Sequence, residues 1–295
     1  MAFPAVESSA TTGRTANETT SPVSYPATVS PGALLVAIAR VAVAGAIGWP
    51  AGWNELVEDT SDASDDVTAI AWKAADGTED GTTFDVTHGS GKSAYIVYSI
   101  TGAEDPATQP PQLSAVATGA SATPDPASLS PTGGAKDYLW LWLGGWEGEQ
   151  TSPPAGNPTN YSNPLGASTG TAGAIATNCR VASAQRNLNA ATEDPPSWTI
   201  SVSDDWSAWT MAVHPASTNR RARASWAELE APSAPRRTLV SWSELEVPTA
   251  SRRALLSWAE LEVPTAPRRA LISWAELETP GGDTTPQRTL THAGV

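Results

Sequence analysis

DYLWLWLGGW, at residues 137–146, alternates strictly between two sets of side chains. Successive residues of a strand point to opposite faces, so Tyr138, Trp140, Trp142 and Gly144 share one face and Leu139, Leu141 and Leu143 the other. Both faces are apolar. The stretch is the strongest candidate for a central strand. ALLVAIARVAVA (33–44) has too few polar positions for a half-exposed strand, so burial on both faces or a bend is expected. VTAIAWK (67–73) alternates, and TTFDVT (82–87) and SAYIVYSI (93–100) read as a hairpin closed by HGSGK. TAGAIATNCRVASA (171–184), SWTISVS (197–203) and SAWTMAVH (207–214) complete the set, with Asp204-Asp205-Trp206 as a tight turn between the last two. FPAVES (3–8) and TSPVSY (20–25) are weak strands, and 147–169 reads as loop. The Pro-, Ala- and Ser-rich run 102–136 is expected over the surface or at a sheet edge, because proline is excluded from central strands.

About eight to eleven short strands without an amphipathic helix imply an all-β fold, a jelly-roll-like β-sandwich. The sandwich is expected over residues 1–217, a linker over 218–224, and a tail over 281–295. Between them lies an array of four 16-residue β-type repeats (225–280). SWAELE at 225–230 recurs as SWSELE at 241–246, then as SWAELE at 257–262 and 273–278. Fixed-period self-similarity marks a repeat architecture. Each copy supplies a tryptophan and a leucine as candidate partner contacts: Trp226 and Leu229, Trp242 and Leu245, Trp258 and Leu261, Trp274 and Leu277. Arg236 and Arg237, Arg252 and Arg253, and Arg268 and Arg269 precede the later copies and join that set. As a strand, RRALLSWAELEVPTAP (252–267) puts Leu255, Ser257, Ala259, Leu261 and Val263 on one face. As a helix it would open with a Ser257/Glu260 capping box and be stopped by Pro264 after about six residues, too short to stand alone. The strand is the favoured reading. A lone strand cannot satisfy its edges, so a meander, a trimeric shaft or strand addition to a periodic partner are all open.

Charge divides the same way. Residues 1–219 carry seven basic and 22 acidic side chains, residues 220–295 ten and nine. The acidic body speaks against nucleic acid, whose phosphates need Lys and Arg. The single cysteine, Cys179, allows no internal disulfide. The opening MAFPAVESSATTGRT has neither the basic nor the apolar region of a signal peptide. The apolar run 34–49 is interrupted by Arg40, Gly45 and Gly48, so no membrane partner is expected.

Catalysis has little to stand on. His88, His214 and His292 lie in no motif, Cys179 reads as a buried strand residue, and Glu147 with Glu149 is the least implausible carboxylate pair for glycoside cleavage. The chain is expected to be non-enzymatic and to need no cofactor. The loop EDTSDASDD holds the weak Ca²⁺ candidates Asp59, Asp62, Asp65 and Asp66, although it lacks the glycine and terminal glutamate of an EF-hand. Of 13 tryptophans, Trp49, Trp53, Trp146 and Trp206 are placed in turns and are the candidate glycan contacts.

Taken together, GALLVA, GWPAGW, AWKAADGTE, AYIVYSITGAEDP, TPDPASLSPTGGAKDYLWLWLGGWE and NLNAATEDPPSWTISVSDDWSAWTMAVHPA resemble a family of bacteriophage minor virion structural proteins, over about residues 20–217. The resemblance implies a virion-associated β-sandwich of head-decoration or tail-fibre type, and it carries over no catalytic residue. It implies capsid or tail proteins as partners; the repeats leave a homotrimer open as a further option, and the turn tryptophans a host-surface glycan.

Overall fold

Lys136–Glu147 forms one unbroken strand, and its residues from Tyr138 to Trp146 are all buried. In this computed structural model it is β8 of the eleven strands among the described residues. The structure describes residues 2–61, 64–148, 154, 156–170 and 178–217. The chain divides into two units, Met1–Arg220 and Arg221–Val295, and every described residue belongs to the first. The repeats, with all their candidate contacts, lie outside the described residues.

The other strands are β1 (Ala5–Ser24), β2 (Leu34–Val41), β3 (Asn54–Asp59), β4 (Val67–Ala74), β5 (Thr83–Thr101), β6 (Gln112–Leu113), β7 (Ala117–Ser121), β9 (Ser162–Ser168), β10 (Cys179–Ala190) and β11 (Asp204–Val213). One antiparallel sheet has the order β1-β5-β2-β4-β3. The second has the order β6-β11-β8-β10-β9, with β7 also paired to β11. The sheets pack face to face. Leu34, Val36, Ile38, Ile96 and Tyr98 of the first meet Leu139, Leu141, Leu143, Trp209 and Met211 of the second. This is a β-sandwich, but the chain does not follow jelly-roll connectivity. A jelly roll weaves two Greek keys through its two sheets. Here the first five strands build one sheet and the last six the other, with a single crossing after β5.

Each outer face is covered as well. Tyr25, Val29, Trp53, Phe84 and Val86 lie over the first sheet; Tyr161, Trp198 and Ile200 lie over the second. That double cover is why LLVAIARV and YLWLWLGGW carry apolar residues at consecutive positions.

Several segments differ from their sequence reading. The two weak N-terminal strands are the ends of one 20-residue strand, β1, whose middle, TTGRTANETT, is polar because it lies at a sheet edge. HGSGK is no hairpin: β5 runs straight through it. A Cβ on Gly89 or Gly91 would come within 2.9 or 2.8 Å of the Val43 side chain, so these glycines serve a close crossing rather than a turn. Asp204 to Trp206 open β11 instead of forming a turn. SWTISVS is a strap: the Trp198 and Ile200 amides donate to the Pro124 and Ala122 carbonyls, and its side chains roof the second sheet. Strand β9 arises inside the stretch 147–169 read as loop, and β3 occupies a segment that had no strand reading and takes in the start of the acidic loop. The run 102–136 does pair at an edge, through β6 and β7.

A charged pair is enclosed by the sandwich. Arg40, on the inner face of β2, is fully buried and donates to Asp66 at 2.9 Å, Thr68 at 2.9 Å and Ser207 at 3.3 Å. Ser207 belongs to the opposite sheet. A Cβ on Gly145 would lie 2.8 Å from the Arg40 Cδ, so glycine there makes room for the arginine. Taking away one member of a buried ion pair leaves the other charge uncompensated. Asp66→Ala is therefore expected to lower the unfolding free energy by about 3–5 kcal/mol, and the Arg40→Met/Asp66→Leu double variant by less. Urea titration of the three chains checks both.

Candidate functional site

The four tryptophans proposed as glycan contacts do not share a surface. Trp146 and Trp206 lie in β8 and β11 rather than in turns, and both are buried. The Trp206 indole donates to Ser121 Oγ at 3.1 Å. Trp53 is buried between Tyr25 and Phe84 over the first sheet. Trp49 alone is half-buried, and it stacks 5.5 Å from Trp53. Strand pairing and stacking turn these indoles inward, because their large apolar area is worth most in a core.

The acidic loop is also dispersed. Asp66 is 2% exposed and salt-bridged to Arg40. Asp59 ends β3 and accepts from the Ser61 hydroxyl at 2.6 Å, Asp65 is exposed, and Asp62 lies outside the described residues. Among the described residues no group of three or more His, Cys, Asp or Glu converges as a metal site.

Buried polar groups form ties between segments. In the first sheet Lys73 on β4 pairs with buried Glu79 at 2.7 Å. Burial opposes Glu79's charge, but the Lys73 ammonium and the Asp76 and Gly77 amides outweigh it and hold the carboxyl below its ordinary range. In the second sheet Arg186 on β10 pairs with buried Glu193 at 2.8 Å, and Glu193 also accepts from the Tyr161 hydroxyl. Cys179 is fully buried, its thiol donates to the Arg40 carbonyl at 3.2 Å, and burial raises it above the usual thiol range. A thiol held protonated is a poor nucleophile.

Ser21 and His88 come nearest to a nucleophile and its base. The Ser21 Oγ lies 2.8 Å from His88 Nε2, and His88 Nδ1 donates to the Gly89 carbonyl at 2.7 Å. Yet Ser21 is fully buried and lies within reach of Ser93 and Glu18 as well, so the cluster stitches β1 to β5. Sequence reading had no signal for it, since its members are spread over a polar edge strand and a glycine-rich segment.

The described residues also form a groove of about 230 Å³ between β1 and β9. Glu7, Ser8, Ser9, Asn163 and Gln185 supply its polar atoms, and Tyr98 and Leu165 its apolar ones. The Gln185 Oε1 is buried there without a hydrogen-bond partner, and Asn163 takes a left-handed φ of 50°. Glu7 is already committed: it accepts from the Ser30 hydroxyl and amide and from Ser99, which together hold it below its ordinary range. The groove can hydrogen-bond a small polar molecule, and its lining holds no nucleophile–base pair. Nothing in the sequence singled it out.

No family model, no curated protein and no solved structure matches this chain. Among the described residues no helix is long and apolar enough to cross a membrane.

His214, just beyond β11, gives a pH dependence. It is 2% exposed, packs edge-on to Tyr138 at 5.1 Å, and shares its Nε2 proton with Gln112 Oε1 at 3.2 Å. Its Nδ1 is buried without a partner. Burial, aided by the Lys136 charge, brings its pKa down to about 4. An unfolded histidine titrates near 6.5, so between these values the unfolded chain binds more protons, and acid favours unfolding. Stability is expected to fall by up to about 3 kcal/mol as pH drops from about 6.5 to 4. The His214→Phe variant is expected to lose that part of the slope in denaturant titrations across the range. In the same assay Trp146→Ala is expected to cost about 3–5 kcal/mol and Trp49→Ala clearly less.

Proposed function

We propose that the protein is a non-enzymatic structural component of a phage virion, with the sandwich displayed on the particle and the repeats used for attachment or oligomerisation. The observation that carries this reading is the fixed 16-residue recurrence of SWxELE behind an all-β body. Identical units at constant spacing suit an array of identical contacts, whereas catalysis requires one unique constellation. In this reading each repeat is an extended strand. Trp226, Trp242, Trp258 and Trp274 and their leucines bury against a partner, and the Arg pairs meet the Glu-x-Glu pairs across it. Partners are capsid or tail proteins, or two further copies in a trimeric shaft. The body supports the reading through its buried charges, since the Arg40–Asp66, Lys73–Glu79 and Arg186–Glu193 pairs all brace the scaffold.

A host-glycan module is the alternative. It keeps one specific support, the half-buried Trp49 stacked on Trp53. Abolition of glycan-array binding by Trp49→Ala would favour it.

Mass spectrometry of purified particles is expected to find the chain, and to lose it when residues 225–280 are deleted. Particles that lack the full-length chain would sink the proposal. Light scattering separates the two modes of attachment: a trimer for the full chain with a monomeric 1–217 means a self-assembled shaft, and two monomers mean capture by another virion protein.

A further inference from the structure

The two sheets have the same wiring. Read from the edge strand inward, β1-β5-β2-β4-β3 and β6/β7-β11-β8-β10-β9 are one order with the numbering advanced by six. The registers agree too. Leu34 pairs with Ala74 and Ile100, and Leu139 pairs with Asn187 and Val213. A shift of 105 residues takes β2 onto β8, and one shift of 113 takes both β4 onto β10 and β5 onto β11, for every pair of the β2–β4 and β2–β5 ladders. Even the irregularities coincide. The β3–β4 ladder slips between Asn54↔Trp72 and Val57↔Ile70, and the β9–β10 ladder slips between Ser162↔Gln185 and Leu165↔Ser183. Each slip follows a turn in which an aromatic amide donates to a proline carbonyl three residues back: Trp53 to Pro50 and Tyr161 to Pro158.

Sequence follows the same correspondence where the outer roofs are built. PATVSP (26–31) precedes β2 and PASLSP (126–131) precedes β8. TEDGTTFDV (78–86) leads into the first roof and TEDPPSWTI (192–200) into the second. The matched glutamates, Glu79 and Glu193, hold the matched cations, Lys73 and Arg186. The matched aromatics, Phe84 and Trp198, cover the matched faces.

We propose that the body is an intramolecular dimer: one five-strand unit, duplicated and joined head to tail, with residues 2–101 and 102–217 as its two copies. Equal inner faces packed together make an isologous contact, the kind a two-fold axis generates. Residues on such an axis touch their own equivalents, and two places do. Arg40 lies against Gly145, its counterpart under the 105 shift. The bridge Ala103↔Pro215 joins the segments that follow β5 and β11, and the Ala216 amide donates to the Gly102 carbonyl at 2.8 Å. Two arginines would compete for the single space between the sheets, so one copy has glycine. The copies have also diverged at the groove. Ser9, Tyr98, Leu165 and Gln185 line it, whereas their counterparts Leu113, Met211, Val57 and Trp72 are apolar and pack into the inter-sheet core. The groove is thus a feature that one side of the dimer opened and the other filled.

The test exchanges the two roofs reciprocally in the full-length chain, putting TEDPPSWTI at 78–86 and TEDGTTFDV at 192–200. The control carries the same two segments in scrambled order. The exchanged chain is expected to keep one cooperative thermal transition, within about 10 °C of the parent, and to melt above the control. Melting no higher than the control overturns the duplication. A crystal structure of the unaltered chain provides a test independent of variant folding. Superposing 34–101 on 139–214 is expected to bring β2, β4 and β5 onto β8, β10 and β11 at shifts of 105, 113 and 113; a best fit that pairs other strands or other shifts overturns it.

Discussion

A guanidinium sealed from solvent is the constraint around which this sandwich is arranged. Arg40 interrupts the most apolar strand of the first sheet and points at the second. Its charge would be prohibitively costly alone in that layer, so the surroundings are built to receive it. Asp66 supplies the countercharge from the end of an otherwise acidic, solvent-facing loop. Thr68 and Ser207 supply oxygens from both sheets, and the Ser207 hydroxyl also donates to Thr68 at 3.2 Å. Gly145 removes the side chain that would collide. The cluster fixes how the sheets register, because only one relative position brings these four residues around one side chain.

Away from that cluster the layers are held by area. Each sheet is buried on both faces, which gives three apolar strata in a body of modest length: roof, sandwich and roof. The second roof is an irregular strap and the first draws on the start of β5, and each is tied down by a buried glutamate bonded to a cation on the sheet beneath. Tryptophan suits this plan. Trp142 meets Trp198 edge-on at 5.1 Å across the outer layer, a geometry that favours aromatic pairs beyond their area.

The central strands were legible in the sequence because burial on both faces leaves a continuous apolar run. YLWLWLGGW and LLVAIARV could hardly be anything else. The edges were not. The middle of β1 pairs through its backbone, and TTGRTANETT carries no periodicity to betray it. Glycines misled in HGSGK because the same residue serves a turn and a close crossing, and only the neighbour, Val43, tells the two apart. The turn tryptophans misled for a related reason: a polar or glycine-rich neighbourhood in sequence says little about which way an indole swings once strands pair. Asp66 looked like its acidic neighbours, and its partner lies 26 residues away. The groove between β1 and β9 had no signal at all, being made by two strands that share no motif.

The polar edge has a consequence for crowding. Strands left open at a sheet margin tend to recruit one another, and long apolar ones polymerise. Here β1 lines the margin with Ser, Thr, Glu and Arg, and among the described residues Val202 is the one large apolar side chain that stands exposed. The segment 1–219 carries an excess of acidic over basic groups besides. Along this margin the described residues offer a neighbouring copy charge and hydroxyls rather than apolar area, which works against edge-to-edge pairing.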